Sequence, residues 1–155
     1  MSDIYDVIVM DAYSTTRYGS SLPAHLATRE FFTIANAHLS TNGVLAYNVI
    51  GQVRGYRAGV VGAIYRTMKE VFPQVYMFPS NESQNVVLIG AKATEHFNSA
   101  RVLLGGVALM RSGTVTLPTF YFRARNFVDW PPPGTAQSPV LTDNYAPLER
   151  LLQGN

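Results

Sequence analysis

Ile4-Tyr5-Asp6-Val7-Ile8-Val9-Met10-Asp11-Ala12-Tyr13-Ser14 is the stretch on which the fold turns. Ile4 to Met10 is a short run rich in Ile and Val that stops abruptly at Asp11, the pattern of a strand buried on both faces of a parallel sheet. A polar, glycine-containing stretch, Asp11 to Ser21, follows as a loop. It is long for a strand-to-helix link, where a few residues usually suffice, and long loops in this position often act as lids. After Pro23, apolar positions at Phe31, Ile34, Ala35, His38 and Leu39 recur at helical spacing, with Thr28 placed to cap the amino end. Asn42-Gly43 then predicts a turn into a second strand, Val44 to Ile50.

The alternation repeats once more. Gly51 to Arg57 is a loop, and Val60, Ile64, Met68 and Val71 line one face of a helix that ends before Pro73. Strand, helix, strand, helix is the signature of crossover units, which are right-handed. Val75–Phe78 and Asn85–Ala91, separated by the turn-forming sequence Pro79-Ser80-Asn81-Glu82-Ser83, suit an antiparallel hairpin. Glu95 to Arg111 predicts a third helix, and Phe120-Tyr121-Phe122-Arg123-Ala124-Arg125 a strand. From about residue 113 the chain is otherwise irregular, with Pro131-Pro132-Pro133 as a stiff spacer and a last short helix from Pro147 to Leu152. The expected architecture is one α/β domain over residues 1–155: part of a doubly wound, three-layer sandwich, its sheet mainly parallel with an antiparallel hairpin at the end.

Composition narrows the chemistry. The 155 residues are 47% hydrophobic and 14% charged, a globular balance, and their net charge of +2 is spread without a basic run that would mark a nucleic-acid surface. There is no cysteine, which excludes disulfides and thiol nucleophiles. His25, His38 and His96 lie in separate segments without metal-ligand spacing, so no metal is expected, and His25 is read as ordering a loop-to-helix junction. Ser20 and Ser21 have no nucleophile-elbow context. The longest apolar stretch, Val102 to Met110, is far short of the roughly 20 residues that span a bilayer, and a cytoplasmic location without a membrane partner is the default expectation.

In open α/β sheets ligands collect at the carboxyl ends of strands, where Asp11 and Asn48 both fall. A carboxylate there could hold a cationic amine or accept its proton, or it could simply cap a backbone turn. Tyr13 and Tyr18 could stack on a ligand or pack as part of the lid.

Three stretches together resemble the spermidine synthase family, in particular the spermidine-synthase-like branch sometimes fused to membrane transporter segments. They are Tyr5-Asp6-Val7-Ile8-Val9-Met10-Asp11-Ala12-Tyr13-Ser14, Leu22-Pro23-Ala24-His25-Leu26-Ala27-Thr28-Arg29-Glu30-Phe31-Phe32 and Asn42-Gly43-Val44-Leu45-Ala46-Tyr47-Asn48-Val49. The tail Leu141-Thr142-Asp143-Asn144-Tyr145-Ala146-Pro147-Leu148-Glu149 is also similar to the end of such domains. The resemblance implies a Rossmann-like sheet shared with S-adenosylmethionine-dependent methyltransferases. It implies an aminopropyltransferase moving an aminopropyl group from decarboxylated S-adenosylmethionine to an amine such as putrescine, without a metal. Asp11 matches the carboxylate that acts on the amine, and the following loop matches the gate. Tyr13, Ser14, Asn48, Asp143 and Tyr145 are the substrate-binding candidates. Ser14 departs from the second aspartate of many such enzymes, which removes a charge that would help to hold a diamine.

The strand, glycine-rich turn and acidic residue with which such a domain grips its cofactor have no counterpart here, and Gly51, Gly55, Gly59 and Gly62 have the wrong spacing. The expectation is therefore the carboxyl-terminal part of the domain, with no cofactor-binding residue assigned. Two other functions fit the same pattern: an S-adenosylmethionine-dependent methyltransferase-like domain, or a non-catalytic oligomeric interaction module. The strand Ile4–Met10 would lack a neighbour on one side, so a homo-oligomer formed through that edge is expected.

Overall fold

The computed structural model describes residues 3–16 and 19–153. Its elements are β1 (Tyr5–Met10), β2 (Ser14–Thr16), β3 (Gly19–Ser21), α1 (Arg29–Ala37), β4 (Leu39–Ile50), α2 (Ala58–Lys69), β5 (Gln74–Pro79), β6 (Asn85–Ala91), α3 (Ser99–Arg111), α4 (Phe120–Ala124) and α5 (Leu148–Gln153). The main sheet has four strands in the order β1-β4-β6-β5. β1 pairs with β4 in parallel, whereas β6 is antiparallel to both β4 and β5. Three strands therefore run the same way, but only one neighbouring pair is parallel. This corrects the expectation of a mainly parallel sheet. The short link after β5 returns the chain antiparallel, and β5 leaves one position vacant beside β4 that β6 then fills.

Both crossover helices lie on one face of the sheet. Residues paired across antiparallel strands share a face, so Leu45, Tyr47 and Val49 point the same way as their partners Gly90, Leu88 and Val86. Phe32 of α1 meets Tyr47 edge to face at 5.4 Å between ring centroids, and Met68 of α2 and Phe72 just beyond it crowd Gly90. Thr28 caps α1 as its sequence position predicts, its side chain accepting from Phe31 N at 3.2 Å. The tail is tied into this layer. Buried Thr67 Oγ1 donates to Ala63 O and accepts from Leu141 N, while Leu141 O accepts from Arg29 N. One buried backbone segment thus joins α1 to α2.

The opposite face is covered only toward β5. There Phe127 packs on Tyr76 and Phe78 at 5.1 and 5.4 Å, and Val128 bridges to Met77. At the other end β1 is an edge strand. Ile8 and Met10 pack on the core, but Tyr5, Val7 and Val9 on the opposite face are 48%, 55% and 72% exposed. The strand is therefore not buried on both faces, as its composition suggests, and the sandwich has its third layer only in part.

Local readings are also revised. The stretch expected as a plain loop contains the antiparallel β2–β3 ribbon, with Ser14 paired to Ser21. β4 starts at Leu39 rather than after Asn42-Gly43. Tyr5 pairs with Leu39 but Val7 with Val44, so residues 40–43 form an irregularity inside the strand. α3 begins at Ser99, where Asn98 accepts from Arg101 N, rather than at Glu95. Residues 120–124 form a helical turn in place of the expected strand. Aromatic content favours a strand only when a neighbouring strand is available to pair with it.

Gly90 is where packing leaves least room. A Cβ there would stand 2.7 Å from Phe72 Cδ2 and 2.9 Å from Met68 Cε. Gly90→Ala should lower stability by about 1–3 kcal/mol through overpacking, measured as a reduced urea midpoint with an unchanged slope.

Candidate functional site

The parallel register that sets Met10 against Tyr47 carries the next residue of each strand, Asp11 and Asn48, to the same carboxyl edge. Asn48 Nδ2 donates to Asp11 Oδ1 at 2.8 Å. Asn85, the first residue of β6, donates from Nδ2 to Asn48 Oδ1 at 3.1 Å. Three strands thus contribute one side chain each to a chain of hydrogen bonds whose donors all point toward the Asp11 carboxylate. Asp11 itself is exposed and can be reached from solvent.

Tyr13 clips the following segment onto the same strand end. Its hydroxyl donates to Asn48 O at 2.7 Å and accepts from Ile50 N at 2.8 Å. Burial pushes the phenol above its ordinary pKa, the Ile50 N–H works against that rise, and the charge of Asp11 adds to it. Both hydrogen-bonding functions of the hydroxyl are thus spent on the backbone. The structure places Tyr13 as a positioning group that fixes the Asp11–Asn48 edge.

A cavity of about 430 Å³ opens beside these residues, lined by Gln52, Arg54, Ser80, Asn85, Val128 and Trp130 among others. Asn85 belongs both to this cavity and to the hydrogen-bonded chain ending at Asp11. The Arg54 guanidinium carbon lies 5.8 Å from the centroid of the Trp130 ring. A second cavity of about 550 Å³ lies between α2 and the tail and is lined by Arg66, Tyr145 and Arg150 among others. Arg66 is already engaged there, donating to the carbonyls of Ala136 and Ser138.

The chain is 30% identical over 155 residues to the polyamine aminopropyltransferase of Vibrio vulnificus (strain CMCP6), an alignment covering 95% of this chain and 46% of that protein. The chain is spermidine synthase-like. It spans about half the length of this curated relative. A probable spermidine synthase from Corynebacterium glutamicum ATCC 13032 shares the fold, with a TM-score of 0.50 and 24% identity over 68% of this chain and 38% of that one. No family model matches.

Against this background the other candidates sort by position. Ser14 opens β2, two residues past Ala12, and is exposed. Asp143 and Tyr145 sit in a tight turn closed by the Thr142–Tyr145 bridge. Asp143 N donates to Glu30 Oε2 at 3.1 Å, and Tyr145 borders the second cavity, so their contacts lie apart from the Asp11 chain. Tyr18 lies outside the described residues. Gly51 and Gly55 are in the β4–α2 loop, while Gly59 and Gly62 are helical, Gly59 facing Leu151 and Gly62 facing Ser138. At Gly62 a Cβ would stand 2.9 Å from Ser138 Oγ, so that glycine serves the close approach of α2 to the tail. Among the described residues no cluster of His, Asp and Glu could hold a metal ion, and no helix is long and apolar enough to cross a membrane.

Asn85, Gln52 and Trp130 were not singled out from sequence. Asn85 carried one weak signal, a polar residue heading an apolar strand, but its partner depends on the antiparallel register. Tyr13→Phe should cost about 1–2 kcal/mol at neutral pH, since it leaves Asn48 O and Ile50 N without their partner. A raised folded-state pKa means that the folded protein keeps the proton longer. The associated stability is whole below pH 10 and is lost as pH rises through the folded value. Chemical denaturation from pH 9 to 11 should therefore show a shallower alkaline decline in Tyr13→Phe than in the unsubstituted chain.

Proposed function

We propose that this chain carries the amine-handling side of an aminopropyl transfer, with Asp11 as the carboxylate that holds and deprotonates the attacking amine. The observation that carries the reading is the Asn85–Asn48–Asp11 chain at the strand ends, in a sequence similar over most of its length to a polyamine aminopropyltransferase. An ammonium has no lone pair and cannot attack, so its proton must pass to a base before the new C–N bond forms. Asp11 is exposed, with one oxygen steadied by Asn48, and is suited to accept that proton. Decarboxylated S-adenosylmethionine would supply the aminopropyl carbon: as the C–N bond forms, the bond from that carbon to the positively charged sulfur breaks, and neutral methylthioadenosine leaves with the electron pair. Asn48 keeps the carboxylate in place, and Tyr13 holds the backbone of Asn48 and Ile50. The reading includes no metal and no nucleic-acid partner, and it places the chain in the cytoplasm.

Transfer of a labelled aminopropyl group from decarboxylated S-adenosylmethionine to an amine by the purified chain tests the reading. Asp11→Asn should lower the rate at least about 100-fold with little change in melting temperature. A substituted chain as active as the original would remove Asp11 from the chemistry.

One observation favours a second reading, that of an oligomeric interaction module. β1 leaves its outer backbone groups without a strand partner in the sheet, beside exposed Val7 and Val9. We propose a homo-oligomer in which this edge is paired or covered by a second copy. Sedimentation at micromolar concentration should give a dimer or larger species, and Val9→Lys should shift it toward monomer. A monomeric original chain whose β1 amides exchange rapidly would rule the assembly out.

A further inference from the structure

We infer that the amine taken at this site carries an apolar, ring-bearing tail in place of a second ammonium group. The inference rests on the proposed role of Asp11 and concerns what lies on the far side of Asn85. An α,ω-diamine such as putrescine is held best when an anionic group meets each of its ends. Here Asp11 serves one end. The cavity that adjoins this end shares Asn85 with the Asp11 chain, and among the described residues no acidic residue lines it. The acids nearest in sequence do not compensate. Glu82 is exposed on the turn before β6, and Asp129 faces His96 Nε2 at 3.6 Å.

What the cavity offers instead is a cation and an aromatic face. Arg54 brings a positive charge that opposes a second ammonium. Trp130 is 44% exposed and presents its ring beside that guanidinium, with the half-buried Val128 as apolar lining. A planar apolar tail gains contact with the indole and loses little solvation on entry, whereas an ammonium would lose its water without finding a carboxylate. Ser14, uncharged beside Asp11, adds no anion on the near side.

Calorimetric titration of the purified chain with 4-phenylbutylamine and with putrescine tests the inference. The phenyl compound should bind about tenfold more tightly or better. Trp130→Ala should remove most of that advantage while leaving putrescine little affected. Arg54→Glu, a change on an exposed loop that leaves the core intact, should strengthen putrescine binding severalfold. Putrescine binding as tightly as the phenyl compound, with both weakened by Asp11→Asn, would overturn the inference and leave the amine-holding role of Asp11 standing. Affinities that ignore Asp11→Asn for both compounds would remove that role and the inference with it.

Discussion

The parallel register between β1 and β4 is the constraint on which the rest of the site depends. Because Val7, Ile8, Val9 and Met10 pair in step with Val44, Leu45, Ala46 and Tyr47, the first polar residue after each run emerges at the same level. The hydrogen bond from Asn48 to Asp11 follows from that step, and so does the reach of the Tyr13 hydroxyl to Asn48 O and Ile50 N. A slip of one residue would turn every side chain of β1 to the other face and separate the pair. The irregularity at residues 40–43 absorbs the mismatch in length at the opposite end of the strands. The carboxyl ends can then stay in register.

β6 gives this edge its third member. Entering between β4 and β5 from the side where β4 ends, it sets Asn85 opposite Ile50 and within reach of Asn48. A parallel strand in the same place would bring a carboxyl end there, preceded by its own apolar residues. The antiparallel insertion instead brings a strand beginning, where a turn delivers polar residues. The same turn supplies Ser80 to the adjoining cavity.

The two faces of the sheet are unequal for a related reason. Crossovers from β1 to β4 and from β4 to β5 move the same way across the sheet, so α1 and α2 fall on one side and bury it thoroughly. The other side depends on segments that come after β6. They reach Tyr76 and Phe78 through Phe127, but not Val7 or Val9. The result is a well-packed layer under the site and a bare apolar strand at its margin.

Much of this was legible in the sequence. The strand endings after Met10 and Ile50, the Thr28 cap, helix α2 and the hairpin before Ala91 are local events, set by periodicity, capping chemistry and chain reversal over a few residues. The resemblance carried by residues 5–14, 22–32 and 42–49 implies an amine-handling carboxylate at position 11, the role proposed for Asp11. What local pattern could not supply was the neighbour of each element. Ile4–Met10 has the composition of a buried strand, yet its exposure depends on whether another strand lies beside it. Residues 120–124 look like a strand but find no partner and coil into a helical turn. Asn85 joins the site only because β6 runs backward between two strands that come before it in the chain, and Trp130 follows Val128, which bridges to Met77 of β5. The sequence by itself determined where strands end and which polar groups stand there, because those depend on covalent neighbours. Only the tertiary structure decided which of these groups meet, because pairing and register are set by contacts between residues far apart along the chain.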